Sequence, residues 1–117
     1  MRAAPPPYCP DAGDIIWLDF NPQTGREQAG RRPALVLTKR KYNQASQLCV
    51  LCPITGQPKG YPFEVAIPAD LPVAGVVLAD QVKSLCWHAR NAQLISVAPP
   101  ALLGRVRGMI KALLQIP

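Results

Sequence analysis

The chain has 117 residues and 49% of them are hydrophobic, which excludes a disordered polypeptide and fits one domain with a modest core. A total of 13 basic residues against 7 acidic ones gives a formal charge of +6, which suits a polyanionic partner but equally fits an ordinary basic domain. The sequence has no apolar run near the ~20 residues that span a bilayer, and its first residues lack the apolar centre of a secretion signal. These features predict a cytoplasmic protein.

Neither a repeat nor a change of composition divides the chain, so we expect residues 1–7 to form a loose lead-in and residues 8–117 to form one domain. The 14 prolines favour short strands and turns over long helices. Alternating and β-branched segments predict short strands at 15–20, 33–38, 48–52, 63–67, 75–79, 83–87 and 93–97. A single helical turn is expected at 80–82.

The first predicted strand places Ile16, Leu18 and Phe20 on one face, which we expect to enter the core. Residues 39–43, at the end of the second strand, are basic and polar and are expected to face solvent. Pro53 is expected to end the third strand, because a proline cannot donate to a β-ladder.

The end of the chain has a helical rather than a strand-like period. Apolar residues recur every three or four positions after Pro99 and Pro100, which predicts a C-terminal helix packed on the strands. Gly104 and Gly108 lie together on another side of this helix, and we hypothesise that a backbone approaches them closely, although the glycines could merely be tolerated. The predicted fold is mainly β (α+β), a small barrel of about five to seven antiparallel strands with a C-terminal helix.

The cysteines and acidic residues give little support to a metal site. Cys49 and Cys52 have the C-x-x-C spacing of metal and redox sites, but positions three apart on a strand point to opposite faces. We therefore expect reduced, mostly buried thiols and predict neither a metal nor a cofactor. The acidic residues are spread along the chain, and a Ser/His/Asp set would depend on His88, which has no nucleophile elbow beside it.

Two long polar loops, residues 21–32 and 54–62, carry groups that could act on RNA. RNA supplies its own nucleophile, because the ribose 2′-hydroxyl can attack the neighbouring phosphate. An arginine can stabilise the charge that grows on phosphorus, and a hydroxyl such as that of Thr55 can donate to a phosphate oxygen. Glu27 can accept a proton or position an arginine. This chemistry needs no metal ion.

Several blocks of the sequence, taken in order, resemble the MazF/PemK family of toxin endoribonucleases (mRNA interferases) of type II toxin–antitoxin systems. The matching blocks are residues 13–20, 25–37, 42–43, 53–55, 59–65 and 78–84. The resemblance extends from roughly Tyr8 to the end of the chain. Because independent blocks agree, it is more specific than any single motif.

The resemblance implies an SH3-like barrel, which the family shares with the CcdB gyrase poisons, and a homodimer. It implies a sequence-specific endoribonuclease that cuts single-stranded RNA, leaves a 2′,3′-cyclic phosphate and a 5′-hydroxyl, and is blocked by an acidic antitoxin. The catalytic arginine of the family's G-x-R-P motif falls on Arg32, and the threonine of its P-x-T motif falls on Thr55. The acid of the E-Q-x-G motif falls on Glu27.

Each catalytic role has an alternative when the residues are considered alone. A free guanidinium loses its proton only above about pH 12, so Arg32 is expected mainly as a charge clamp and secondarily as an acid to the leaving 5′ oxygen. Thr55 could instead cap a turn, and Glu27 could be a loop acid paired with Arg26 or Arg31.

Basic and amide side chains are the predicted RNA contacts, because cations hold the backbone and amides read the edges of unpaired bases. These residues are Gln28, Arg31, Asn43, Gln57, Lys59, Gln81, Lys83 and Arg90, each with an ordinary structural or surface role as the alternative. Trp17 and Trp87 are predicted to contact the antitoxin or stack on bases, and buried packing is their alternative.

Two other functions remain open at this point. The first is a non-enzymatic toxin that poisons DNA gyrase, as in the CcdB branch of the fold. The second is a degenerate toxin that only binds its antitoxin. The presence of both the G-x-R-P and the P-x-T motifs favours RNA cleavage. The recognised RNA sequence does not follow from these residues.

Overall fold

The computed structural model describes residues 7–21 and 30–117. The residues of the lead-in before Pro7 lie outside this range, so their predicted looseness stays a prediction. The elements of the described ranges, in chain order, are β1 Asp14–Asp19, β2 Arg31–Val36, α1 Arg40–Ser46, β3 Leu48–Thr55, β4 Glu64–Ala66, β5 Val76–Leu78, a 3-10 helix Ala79–Gln81, β6 Lys83–Cys86, β7 Gln93–Val97 and α2 Pro100–Leu113.

All the strand pairs of this sheet are antiparallel, and the strand order is β4-β5-β3-β2-β1-β7, with β6 paired to β3. The predicted mainly β fold with a C-terminal helix is therefore confirmed. Strand β3 is central, because β2 lies along one side of it while β6 and β5 share the other side. In the part of the chain that the structure describes, no helix is long and apolar enough to cross a membrane.

The prediction that Pro53 ends the third strand is wrong. Strand β3 continues to Thr55, and Pro53 pairs with Ala34 of β2. On the opposite side of β3, pairing with β6 stops at Leu51 and pairing with β5 starts at Ile54. Pro53 thus falls in the gap between two partner strands, where its missing N–H interrupts no ladder on that side.

The core consists of two clusters, one on each side of the sheet. Ile16 and Leu18 are fully buried in one cluster together with Phe20, which confirms the predicted core face of β1. Ile15 is also fully buried, in the other cluster, because α2 covers that side with Leu102. Strand β1 therefore has both faces covered over its first half.

Helix α2 begins at Pro100, as predicted, and packs against the 3-10 helix and β4. No other part of the described chain approaches its glycines, so the hypothesised close contact, which a second protomer would have to supply, stays a prediction. A β carbon at Gly104 or Gly108 would meet no atom within 4 Å. These glycines instead leave an open side on the helix.

Candidate active site

A polar cavity of about 1000 Å³ lies where the start of β2, the end of β3, the loop before β4 and the 3-10 helix meet. Its lining residues are Arg32, Thr55, Gly56, Gln57, Lys59, Tyr61, Glu64, Leu78, Asp80 and Gln81. Both cationic and anionic groups line it, so charge is available for binding and for proton chemistry. We call this cavity the polar pocket.

Strand register brings Arg32 and Thr55 to the same pocket. Ala34 of β2 pairs with Pro53 of β3 in an antiparallel register. Arg32 and Thr55 lie two positions beyond this pair, one on each strand, and residues two apart on a strand share a face. Both side chains line the polar pocket. The structure thus places together the guanidinium and the hydroxyl that the sequence assigned to catalysis.

The hydroxyl of Thr55 is held by the turn that follows it. Its Oγ1 accepts a hydrogen bond from the backbone N–H of Gln57 at 3.2 Å, so the alternative turn-capping role is present in the structure. A hydroxyl that accepts one hydrogen bond keeps its own proton for donation. The turn contact therefore orients Thr55 without using its donor.

Gly75, in the turn just before β5, lies against the backbone of Thr55. A β carbon at Gly75 would lie 2.0 Å from the Thr55 carbonyl oxygen, and the φ of Gly75 is +118°. Only glycine fits a backbone that approaches this closely in a left-handed conformation. A larger residue at position 75 would therefore push against the backbone of Thr55.

A carboxylate organises the loop on the other side of the pocket. Glu64 accepts hydrogen bonds from the backbone N–H groups of Lys59 at 3.1 Å and Gly60 at 3.0 Å. The loop that carries Gln57 and Lys59 is thereby tied to the start of β4. Glu64, Tyr61 and Asp80 had no predicted site role. The signal that could have found Glu64 is a carboxylate that follows a glycine-containing loop.

Residues 11–114 match the family described as "PemK-like, MazF-like toxin of type II toxin-antitoxin system". The chain belongs to this family. The predicted membership, which rested on blocks including the G-x-R-P and P-x-T motifs, is confirmed.

Individual relatives agree with the family match. The chain is 47% identical over 107 residues to the endoribonuclease toxin MazF of Escherichia coli, covering 92% of this chain and 96% of that protein. The crystal structure of MazF from Deinococcus radiodurans superposes with a TM-score of 0.91 and 52% identity, covering 94% of this chain and 100% of the other. A MazE–MazF crystal structure from the same organism has a TM-score of 0.85 and 47% identity, covering 95% and 100%. This likeness confirms the predicted barrel architecture.

Other predicted residues of this MazF-like chain divide between the pocket and other surfaces. Gln57, Lys59 and Gln81 line the pocket with the catalytic candidates. Lys83 lies on β6 and is not one of the pocket residues, so its RNA contact stays a prediction. Glu27 and Gln28 lie outside the described residues.

Arg31 points away from Arg32, because neighbouring strand residues face opposite sides. Its guanidinium donates to Oδ1 of Asp19 at 3.1 Å and to the carbonyl oxygen of Asn91 at 2.9 Å. The hydrogen bonds from Asn91 and Arg31 lower the pKa of the Asp19 carboxyl. Arg31 therefore ties β1 to the turn before β7, and its predicted RNA contact lies away from the pocket.

Arg90 has a similar structural role. Its Nη1 donates to the carbonyl oxygens of Asp19 at 3.0 Å and Asn21 at 2.9 Å, at the end of β1. The guanidinium thus ties the end of β1 to the turn before β7. A contact from Arg90 to RNA stays a prediction, and it does not come from the polar pocket.

The predicted RNA contact of Asn43 is wrong. Residues 39–42 are exposed, as expected, but Arg40–Ser46 forms α1 and turns Asn43 into the interior, where it is fully buried. Its Nδ2 donates to the carbonyl oxygens of Pro10 at 2.9 Å and Thr38 at 2.8 Å, and its Oδ1 accepts from the Thr38 hydroxyl at 2.7 Å. The amide joins three segments of the fold and is unavailable to a base.

The predicted antitoxin contact of Trp87 is also wrong. Trp87 is buried in the cluster of Ile16 and Leu18, and its indole N–H donates to the carbonyl oxygen of Asn43 at 2.9 Å. Only 7% of Trp87 is exposed and its donor is used within the fold, which fits the alternative of buried packing. Trp17 is 38% exposed, so its predicted contact with the antitoxin stays a prediction.

The two central cysteines lie on opposite sides of the sheet, as expected from their spacing. Cys49 belongs to one core cluster and Cys52 to the other. Burial raises the pKa of each of these thiols to about 12, so both are protonated at neutral pH. Among the described residues, no three His, Cys, Asp or Glu side chains are grouped to hold a metal ion.

Proposed function

We propose that this protein is an endoribonuclease toxin that cleaves single-stranded RNA by attack of the ribose 2′-hydroxyl on the adjacent phosphate. The products would carry a 2′,3′-cyclic phosphate and a 5′-hydroxyl. The observation that carries this proposal is that Arg32 and Thr55 line one open polar pocket. The relative from Escherichia coli, 47% identical, is named an endoribonuclease toxin, which supports RNA as the substrate.

Arg32 is the transition-state clamp of the proposed reaction. As the 2′ oxygen attacks, negative charge builds on the equatorial phosphate oxygens, and a guanidinium can donate two parallel hydrogen bonds to them. The Thr55 hydroxyl, with its proton still available, donates to the same group. These hydrogen bonds stabilise a charge that develops only during the reaction. They therefore lower the activation barrier and do not merely tighten the binding of the substrate.

Proton transfers complete the reaction. The 2′-hydroxyl proton must reach a base as the new P–O bond forms, and the leaving 5′ oxygen must gain a proton as its bond to phosphorus breaks. Glu27 is the proposed base, a role that rests on its motif alone, and Arg32 would donate the proton to the leaving 5′ oxygen. The proposed reaction needs no metal ion. The guanidinium of Arg32, the hydroxyl of Thr55 and the ammonium of Lys59 can together stabilise the negative charge on the phosphate oxygens without a Lewis acid.

Lys59 and the overall charge of the chain supply the sequence-independent part of binding. The Lys59 side chain is exposed at the pocket, on the loop that Glu64 ties to the start of β4. A cation there would contact phosphates and release counterions, which makes affinity depend on salt. The formal charge of +6 would steer RNA towards the protein.

The partners of this protein are also proposals. The structures from Deinococcus radiodurans include MazE–MazF complexes, which supports a cognate antitoxin and a dimeric toxin for this chain. An acidic antitoxin segment would compete with RNA for the cationic groups at the pocket.

The gyrase-poison alternative is not favoured, because the curated relatives that match are named as endoribonucleases.

Incubation of the purified protein with a long RNA in excess EDTA tests the proposal. Cleavage should persist, and the new 5′ ends should accept phosphate from a kinase without prior phosphatase treatment. RNA that stays intact both in EDTA and with added Mg²⁺, together with inhibition of gyrase supercoiling, would instead establish the alternative. Cleavage that requires Mg²⁺ would remove the metal-free mechanism.

A further inference from the structure

One polar atom of the pocket wall has unmet hydrogen-bonding capacity. Within residues 7–21 and 30–117, Oε1 of Gln81 is the only buried side-chain oxygen or nitrogen that has no hydrogen-bond partner. Burial removes such an oxygen from water without replacing the lost hydrogen bond, so the arrangement is unfavourable until a donor is supplied. Gln81 also lines the polar pocket with Arg32 and Thr55. No protein hydrogen bond therefore holds the carboxamide oxygen in its buried orientation.

The backbone of Gln81 is held firmly while its carboxamide can turn. Gln81 ends the 3-10 helix, and the N–H of Ala79 at the start of that helix donates to the carbonyl oxygen of Phe63 at 3.1 Å. Helix α2 packs against the same turn. The terminal torsion of a glutamine is broad and nearly two-fold, so the carboxamide can exchange its oxygen and nitrogen within its own volume. Its oxygen can thus be presented to the pocket that the side chain already lines.

The group next to Gln81 along the chain, the carboxylate of Asp80, is also a hydrogen-bond acceptor. This exposed carboxylate precedes Gln81 on the same 3-10 helix and lines the same pocket. Two acceptors at one end of a pocket suit an exocyclic amino group, which offers two N–H donors. Uracil offers one N–H flanked by two carbonyl oxygens, and these would face the Asp80 carboxylate without a donor between them.

We propose that Gln81 and Asp80 form a base subsite that accepts an exocyclic amino group, so that adenine, cytosine or guanine is preferred there and uracil is rejected. This inference rests on the proposed cleavage of RNA and adds the chemical class of one recognised base. Gln81 sets specificity in this reading, while Arg32 and Thr55 act on the phosphate. Discrimination by a glutamine that pairs with a base edge amounts to about tenfold or more.

The first test uses the wild-type protein and a short RNA that contains a cleavage site mapped by sequencing cut 5′ ends. Each position around the cut is changed to uridine in turn. At one recognised position, uridine should lower kcat/KM about tenfold or more. A nucleoside that lacks only the amino group should do the same there: purine riboside for adenosine, zebularine for cytidine, or inosine for guanosine. Equal cleavage of the amino-bearing and amino-free RNAs at every position would overturn the inference.

The second test asks whether the penalty belongs to Gln81. Gln81→Met keeps the length of the side chain and removes the amide oxygen, so the amino-free RNA should be cleaved within about twofold of the amino-bearing one. Gln81→Glu keeps an acceptor and should retain the tenfold penalty. Gln44→Met is the matched control, because Gln44 is exposed on α1 away from the pocket, and it should behave as wild type. An unchanged penalty in a folded Gln81→Met protein would overturn the assignment.

Failure of the inference and failure of the proposed function give different results. A wild-type protein that cuts no RNA overturns both. A wild-type protein that cuts RNA with no position selecting for an amino group overturns the inference alone. The analogue series on the wild-type protein decides this even where a Gln81 variant turns over too slowly to assay.

Discussion

Gly75 lies directly against Thr55, and a β carbon on Gly75 would come within 2.0 Å of the Thr55 carbonyl oxygen. The contact is between backbones, so no side-chain rotation can relieve it. Gly75 does not line the polar pocket, yet it constrains the backbone that carries the Thr55 hydroxyl.

Gly75→Ala should destabilise the protein by about 2 kcal/mol or more, because it adds a backbone clash to a φ of +118°. Unfolding in urea, followed by circular dichroism, measures the change. Gly108→Ala is the matched control: the added β carbon meets no atom within 4 Å, so the helix should gain about 0.5–1 kcal/mol. Equal stability of the two variants would show that the close approach at Thr55 is not a constraint.

Arg32→Ala should lower kcat by about 100- to 1,000-fold or more while the protein stays folded, because the clamp acts on charge that develops in the transition state. Arg32→Lys keeps the charge but loses the planar pair of donors, so its rate should lie between that of the wild type and that of Arg32→Ala. Single-turnover cleavage of a fixed RNA gives the rates. Arg105→Ala, on α2 and outside the polar pocket, is the control for a lost cation. Near-normal turnover in Arg32→Ala would count against the mechanism.

Thr55→Val replaces the hydroxyl with a methyl group of similar size, so it tests the donor rather than the packing. We expect about a 100-fold loss of kcat from the missing donor, and a smaller loss in Thr55→Ser, which keeps the hydroxyl. Single-turnover rates compared with thermal unfolding separate catalysis from stability. Equal rates in the Val and Ser variants would restrict Thr55 to its turn with Gln57.

Asn43→Ala should destabilise the fold by about 1–3 kcal/mol, because the carbonyl oxygens of Pro10 and Thr38 would lose their buried donors. The folded variant should bind RNA as wild type does, since the side chain is fully buried. Denaturant unfolding and filter binding of a labelled RNA measure the two quantities. Gln44→Ala, at the exposed neighbouring position, should change neither. A stable variant with weakened RNA binding would restore the contact predicted from sequence.

The carboxylate of Asp19 should stabilise the fold at neutral pH and lose this contribution in acid. Hydrogen bonds from Asn91 and Arg31 lower the pKa of its carboxyl in the folded state below its unfolded value of about 3.9. The folded state therefore binds fewer protons, and this contribution is present above about pH 4 and is lost as the pH falls through the folded pKa. Unfolding midpoints between pH 7 and pH 3 should fall less steeply for Asp19→Asn than for wild type. Parallel curves would show that the carboxylate contributes nothing measurable.

The sequence predicted elements whose signals are local. Every strand of the described structure overlaps a predicted segment, and α2 begins at the expected proline. Helix α1 was missed because it is short and only Asn43 of its residues is buried, so it has no apolar period to detect. The prediction that Pro53 ends β3 failed because a strand accepts this proline only between two partner strands, β5 and β6, which are distant in sequence.

The site followed the same division. Arg32 and Thr55 could be predicted as neighbours because each lies in a short motif, G-x-R-P or P-x-T. The strand register then brings the two residues to the same pocket. The loop anchor Glu64 and the support from Gly75 depend on contacts between separate segments, which no single pattern encodes. Trp87 was misassigned because an indole in a short strand has the same sequence signal whether it is buried or exposed.

The residues that line the polar pocket lie between Arg32 and Gln81, and Gly75, which is distant from Thr55 along the chain, braces the Thr55 backbone. A nascent chain that has not yet released its second half from the ribosome lacks that brace. We therefore expect a truncated or stalled translation product to be harmless to the ribosome that makes it. A cell would then meet the toxic activity only after synthesis of the chain is nearly finished, when an antitoxin can already engage the completed surface.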